Sequence, residues 1–127
     1  MASNGVARFA DFEFDLRTRE LRRKGRSLDL EQKPAEMLRM LVERPGELVT
    51  RAELQARLWP PDIHLDFDHA LNKTASKLRD ALHDNPGKPR FVETLTQRGY
   101  RFIALVERVD SGINSPTALN YGRRSTD

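Results

Sequence analysis

Five polar side chains share one side of a single stretch of this chain: His69, Asn72, Lys73, Ser76 and Lys77. Spacings of three and four residues place them on one face of an α-helix. Asn72 carries a donor and an acceptor on one amide, the pair needed for a bidentate contact with an adenine edge. Lys73 and Lys77 suit guanine acceptors or phosphates. His69 and Ser76 are short enough to allow close approach. No carboxylate enters this face before Asp80 at its far end. Further along, Arg98 and Gly99 sit at the tip of a short hairpin, with Thr94, Thr96 and Gln97 around them. Arg98 is placed to reach a minor groove, and the other three offer phosphate ligands. Thr50, at the start of an earlier helix, is a further phosphate site, because helix N-termini favour anions. Arg51, Arg79, Arg90 and Tyr100 complete the set expected at phosphates. A helix that fits a groove, followed by a basic hairpin, is the chemistry of double-stranded DNA binding.

The charge distribution agrees. Net charge is only +3, but residues 69–103 hold seven Lys and Arg against three Asp and Glu. Residues 1–68 hold 12 against 13, and residues 104–127 hold three of each. A localised basic patch is the electrostatic footprint of a nucleic-acid binder, whereas a charge run in general is most often a solvated face. The 127 residues suit one domain, and an apolar fraction of 38% leaves little room for an enclosed catalytic pocket. Without cysteine, neither a disulfide framework nor a zinc ribbon can form, in keeping with a reducing cytoplasm. The N-terminus lacks the apolar core of a signal peptide, and no run reaches the ~20 residues of a membrane helix.

The elements that must position these groups follow from periodicity. Residues 8–30 read as an antiparallel meander: Phe12 and Phe14 alternate with acids, residues 20–23 form a second strand, Lys24-Gly25 a tight turn and residues 26–30 a third strand. Residues 32–44 read as a helix with Pro34 in its first turn and Met37, Leu38, Leu41 and Val42 as its apolar stripe. Thr50-Arg51-Ala52-Glu53 is a capping box that opens a second helix running to Leu58, and Pro60-Pro61 forbids its continuation. Asp66 or Asp68 caps a third helix over residues 68–82, whose stripe is Leu71, Ala75, Leu78 and Leu82. Residues 91–95 and 100–104 pair as the hairpin, and Gly99 supplies the positive φ such a turn needs. Residues 1–5 are expected to be a flexible start, 6–106 the domain, and 107–127 a disordered tail or linker.

Helix, loop, helix and ribbon in this order resemble the OmpR/PhoB-type winged helix-turn-helix domain, and most nearly its CadC-like branch. The resemblance rests on Gly46-Glu47-Leu48-Val49-Thr50-Arg51-Ala52-Glu53-Leu54 with Leu58-Trp59. It rests equally on Leu78-Arg79-Asp80-Ala81-Leu82, on Phe91-Val92-Glu93-Thr94-Leu95 and on Arg98-Gly99-Tyr100-Arg101-Phe102. It covers roughly residues 6–106. It implies an α+β fold: a four-stranded N-terminal antiparallel sheet, three helices and a C-terminal β-hairpin wing. The fourth strand must come from Leu48-Val49 or from the start of the chain. The resemblance places base reading on residues 69–77 and the wing on residues 94–100, and implies transcription regulation. It also implies weak dimerisation on tandem half-sites and a loop, residues 60–67 with Pro61, Asp62, His64 and Asp66, that can touch RNA polymerase. Two features depart from the family pattern. The loop opens on Pro-Pro, and the wing reads Thr-Gln-Arg-Gly where many members place the arginine two positions earlier. No receiver domain accompanies the motifs, so control by phosphorylation is not expected.

Competing chemistries are weaker. His64, His69 and His83 lack metal-ligand spacing, so neither metal nor cofactor is expected. Asp66 and Asp68 suit capping better than acid–base work, and Ser76 has no triad partners on its face. An enzyme is not expected. Trp59 is a better core anchor than a base-stacking platform, and Arg22-Arg23-Lys24 is better read as surface than as a localisation signal. The alternative to DNA binding is a winged helix that meets a protein partner with the same face; the scarcity of large apolar groups there favours DNA.

Overall fold

The computed structural model describes residues 5–109. The chain opens with four short strands, β1 Val6–Phe9, β2 Phe12–Asp15, β3 Leu21–Arg23 and β4 Arg26–Leu28. The alternation around Phe12 and Phe14 buries both rings and leaves Glu13 outside. Lys24 and Gly25 both take positive φ, 52° and 80°, the geometry that lets a two-residue turn match the twist of its strands. The strand missing from the sequence reading is β1, supplied by the start of the chain; Ala7 and Phe9 are its buried residues. Leu48–Thr50 forms β5, but it pairs with the wing and not with this sheet.

Three helices follow: α1 Gln32–Glu43, α2 Arg51–Leu58 and α3 Phe67–Leu82. α1 packs on both α2 and α3, and its stripe of Met37, Leu38, Leu41 and Val42 is buried. The capping box of α2 forms as its sequence demands: the Thr50 hydroxyl accepts from the Glu53 N–H, and Glu53 Oε1 accepts from the Thr50 N–H at 2.9 Å. α3 begins one residue before its expected start. Asp66, not Asp68, caps it, accepting the His69 N–H at 3.2 Å. His83 ends it in the left-handed region at φ 55°.

The wing consists of β6 Val92–Leu95 and β7 Gly99–Phe102, in register Leu95 opposite Gly99. With β5 they form a sheet of order β5-β7-β6. Its tip turns through Gln97, which has φ 65°, and the Arg98 N–H closes on the Leu95 carbonyl at 2.8 Å. Gly99 is required for a second reason. A Cβ there would sit 2.1 Å from the Val49 carbonyl oxygen, so only glycine lets β5 and β7 approach.

Residues 107–109, expected in the tail, instead form β8, Glu107–Val109, which pairs antiparallel with β1 and completes a sheet of order β4-β3-β2-β1-β8. The remainder of the expected tail, 110–127, and the expected flexible start at 1–4 lie outside the described residues. Phe9, Phe12, Phe91 and Phe102 join the two sheets: Phe9 meets Phe102 edge-on at 5.0 Å and Phe12 meets Phe91 at 5.6 Å. The root of the wing is therefore part of the core, and only its tip projects. Among the described residues no helix is long and apolar enough to cross a membrane.

Candidate nucleic-acid interface

The helical phase of α3 divides its residues into three groups. Leu71, Thr74, Ala75, Leu78, Arg79 and Leu82 are buried against the rest of the fold. His69, Lys73, Ser76 and Asp80, spaced by four, three and four, are exposed and lie opposite that stripe. Asn72 and Lys77 lie on the two flanks. Lys77 reaches back to the start of α1, its Nζ 3.0 Å from Glu31 Oε1. Glu31 is the N-cap position of α1 but makes no side-chain cap, which leaves its carboxylate available for this pair. Lys73 takes part in no ion pair among the described residues.

Asn72 faces the wing. Its Oδ1 accepts from the Tyr100 hydroxyl and from Arg51 Nη2, each at 3.3 Å. The same Nη2 also approaches the Asp68 carboxylate and the Asp68 carbonyl, at 3.3 and 3.2 Å, while Nη1 donates to the Tyr100 hydroxyl at 3.4 Å. Arg51 therefore ties the first turn of α2, the first turns of α3 and strand β7 to one another. Its position follows from the capping box, which fixes the first turn of α2, and from its own N–H, which donates to the Arg98 carbonyl at the wing tip.

The residues expected at phosphates separate by burial into three sets. Thr94, Thr96, Gln97 and Arg90 are exposed, as is Arg98, the residue expected at the minor groove; Arg90 lays its guanidinium over the Phe91 ring at 4.9 Å. Thr50 and Arg51 are half-buried at the start of α2. Tyr100 and Arg79 correct the expectation. Tyr100 is 2% exposed, and its hydroxyl already donates to Asn72 and accepts from Arg51. Arg79 is 8% exposed and points inward, where Nε and Nη2 donate to the Val92 carbonyl and Nη2 to Thr94 Oγ1 at 2.5 Å. Its guanidinium also lies 5.8 Å from the centre of the Tyr100 ring. A guanidinium buried in this way is a strut between α3 and β6, not a surface ligand. The apolar stripe hid this, because arginine is counted as a surface residue until its neighbours are known.

Asp84 carries no motif in the sequence. It is buried behind the wing, with Oδ1 accepting the Arg90 N–H at 2.7 Å and Oδ2 those of Phe91 and Val92 at 3.2 and 2.9 Å. One carboxylate thus satisfies three donors at the start of β6. The signal that was available is an acid just past the end of a helix and just before a strand, a weak one by itself. Glu53 is held below the usual carboxylate range by the Thr50 N–H and, beyond it, by Arg44. In the loop between α2 and α3, Pro61, Asp62, His64 and Asp66 are exposed together with Ile63 and Leu65. Trp59 lies buried at the head of that loop, edge-on to Phe67 at 5.8 Å.

The helices and the wing lie within a stretch that a known family matches. The family profile described as "Transcriptional regulatory protein, C terminal" matches residues 25–102. The chain belongs to that family. It is 36% identical over 91 residues to the cholera toxin homolog transcriptional activator of Vibrio parahaemolyticus, covering 72% of this chain and 31% of that protein. It is 31% identical over 88 residues to the transcriptional activator CadC of Escherichia coli, covering 68% of this chain and 17% of CadC. The chain thus spans less than a third of either relative's length. Among solved structures, the fold is similar to that of the Thermotoga maritima response regulator DrrB, an OmpR/PhoB homolog, with TM-score 0.68 at 28% identity over 78% of this chain and 44% of that one. The DNA-binding domain of E. coli CadC gives TM-score 0.67 at 26% identity, covering 85% of this chain and all of that domain. The Klebsiella pneumoniae RstA DNA-binding domain, solved in complex with the RstA box, gives TM-score 0.66 at 25% identity, over 77% of this chain and 96% of that one. The fold is therefore an OmpR/PhoB-type winged helix, and the family members it matches are transcriptional regulators.

Proposed function

We propose that this domain binds double-stranded DNA sequence-specifically to regulate transcription. The observation that carries this reading is the outward row of α3, where His69, Lys73 and Ser76 are exposed and free of internal partners among the described residues while the helix behind them is fixed on both flanks. α3 enters the major groove, which accepts one α-helix, and these three side chains meet base edges and phosphates. Arg98 at the wing tip lies at the adjacent minor groove, with Thr94, Thr96, Gln97 and Arg90 toward the backbone. Thr50 and Arg51 bring the N-terminus of α2 to a phosphate. Lys77 exchanges Glu31 for a phosphate at little cost, since an exposed pair is worth ~1 kcal/mol or less.

The protein-partner alternative is disfavoured because the outward row holds no large apolar group. The loop differs: Ile63 and Leu65, exposed among Pro61, Asp62 and His64, make it the surface for contact with RNA polymerase. Asp66 is committed to its cap. Two copies would bind tandem half-sites and dimerise only weakly, and the domain would work in the cytoplasm.

The test is duplex binding measured across salt concentrations, using sites selected from a random pool. The expected affinity falls steeply with salt, because each neutralised phosphate releases counterion. Lys73→Ala and Arg98→Ala are expected to weaken binding while leaving the melting temperature unchanged. Absence of binding to any duplex, or a salt-insensitive interaction, overturns the reading.

A further inference from the structure

We infer that Arg51 and Tyr100 convert Asn72 into a donor-only contact, so that it takes an acceptor on the duplex and does not read adenine by a bidentate pair. This rests on the proposed DNA binding and concerns what one side chain of that face can recognise.

A bidentate contact with adenine needs both halves of the amide: the NH2 donates to N7, and Oδ1 accepts from the N6 amino group. In this fold Oδ1 is occupied. It accepts from Arg51 Nη2 and from the Tyr100 hydroxyl, both at 3.3 Å. The orientation of the amide is not free. A guanidinium has donors only, so the half of Asn72 that faces Arg51 must be the oxygen. Turning the amide over would set NH2 against N–H.

The donors are themselves held. Arg51 is pinned by the Asp68 carboxylate and carbonyl and, through its backbone, by the wing tip. Tyr100 is buried, with its hydroxyl between Arg51 and Asn72. Releasing Oδ1 would leave a buried hydroxyl without its acceptor. Only the NH2 of Asn72 is left for the duplex. Its chemical partner is an acceptor: N7 of guanine or adenine, guanine O6, thymine O4, or a phosphate oxygen. Arg51 and Tyr100 act here as positioning residues, since they set what Asn72 offers through the amide itself.

The test uses the intact chain and begins with site selection for the wild type and for Asn72→Ala. If one base pair loses its preference in the variant, the exocyclic amino group of its adenine or cytosine is removed by a base analogue and binding is measured again. The donor-only contact predicts that wild-type affinity changes by less than about twofold, since the Asn72 oxygen does not face that amino group. If instead Asn72→Ala weakens all duplexes by one factor, the acceptor is a phosphate, and the inference stands with that source. Asn72→Asp, which keeps an oxygen, loses the donor and adds a negative charge, is expected to lose at least as much as Asn72→Ala in either case. A loss of roughly tenfold or more on removing the amino group, seen in wild type and absent in Asn72→Ala, overturns the inference.

Tyr100→Phe combined with Arg51→Met frees Oδ1 and is expected to create the missing sensitivity to the amino group, provided its melting curve shows a folded domain. If that variant does not fold, the wild-type measurement decides alone. Failure of the wild type to bind any duplex is a different result, which refutes the proposed function and not the chemistry of Asn72.

Discussion

Replacing Arg79 with leucine removes a cation that lies on the helix proposed to face DNA yet points into the fold. Leucine keeps the apolar bulk of the stripe but leaves the Val92 carbonyl and Thr94 Oγ1 without their donor. Hydrogen bonds from a charged group contribute about 1.5–3 kcal/mol, and an orphaned buried carbonyl adds a penalty of the same order, so a loss of roughly 2–4 kcal/mol is expected. In a domain of this size that corresponds to a fall in melting temperature on the order of 10–20 °C. The second measurement is the slope of log affinity against log salt at a temperature where the variant is folded. A phosphate ligand would contribute about 0.9 to that slope. Arg79→Leu is expected to leave the slope unchanged, whereas Lys73→Ala and Arg98→Ala are not. A variant with wild-type melting and a slope reduced by nearly one unit would refute the strut assignment and restore Arg79 to the phosphate set.

Three further outcomes follow from the same geometry. Asp84→Ala leaves the N–H groups of Arg90, Phe91 and Val92 without an acceptor and is expected to cost at least about 3 kcal/mol in denaturant unfolding; a cost within error of zero would show that water replaces the carboxylate. Gly99→Ala drives a Cβ to 2.1 Å from the Val49 carbonyl oxygen at a φ of +154°, and is expected to cost about 3 kcal/mol or more. A stable, DNA-binding variant would mean that β5 and β7 can separate freely. The Glu53 carboxyl, held below its ordinary range by Thr50 and then Arg44, contributes stability that is present above its unfolded pKa of about 4.3 and is lost as pH falls through the lowered folded value. Glu53→Gln is therefore expected to be less stable than wild type at pH 7, with the gap closing in acid; a gap independent of pH would contradict this.

The alternation at Phe12 and Phe14, the Thr50–Glu53 box and the three-and-four spacing on α3 were legible because each is a short-range pattern with one period. The wing could be read from Gly99 and its flanking strands for the same reason. Strand β1 was harder, since Val6–Phe9 has only four residues and its partner β8 lies at the other end of the domain. Strand β8 reads as tail in the sequence because Glu107–Val109 is short and exposed, and only its pairing with β1 makes it a strand.

The roles of individual polar groups required more than pattern. Sequence alone determined that a basic, acid-poor face lies on a helix beside a wing, because the phase of a helix assigns every residue to a side. It could not separate Lys73, which looks outward, from Arg79 and Tyr100, whose polar atoms are committed inside, or from Asn72, whose oxygen alone is. Those commitments depend on Val92, Thr94 and Arg51, which lie 13 to 21 residues away in the chain, and on a hydroxyl 28 residues away. A hydrogen bond is set by distance and direction in space, and only the tertiary fold brings such partners to within about 3 Å. The periodicity chose the face; the packing of α2 and the wing against α3 decided which of its polar atoms are free to meet a ligand.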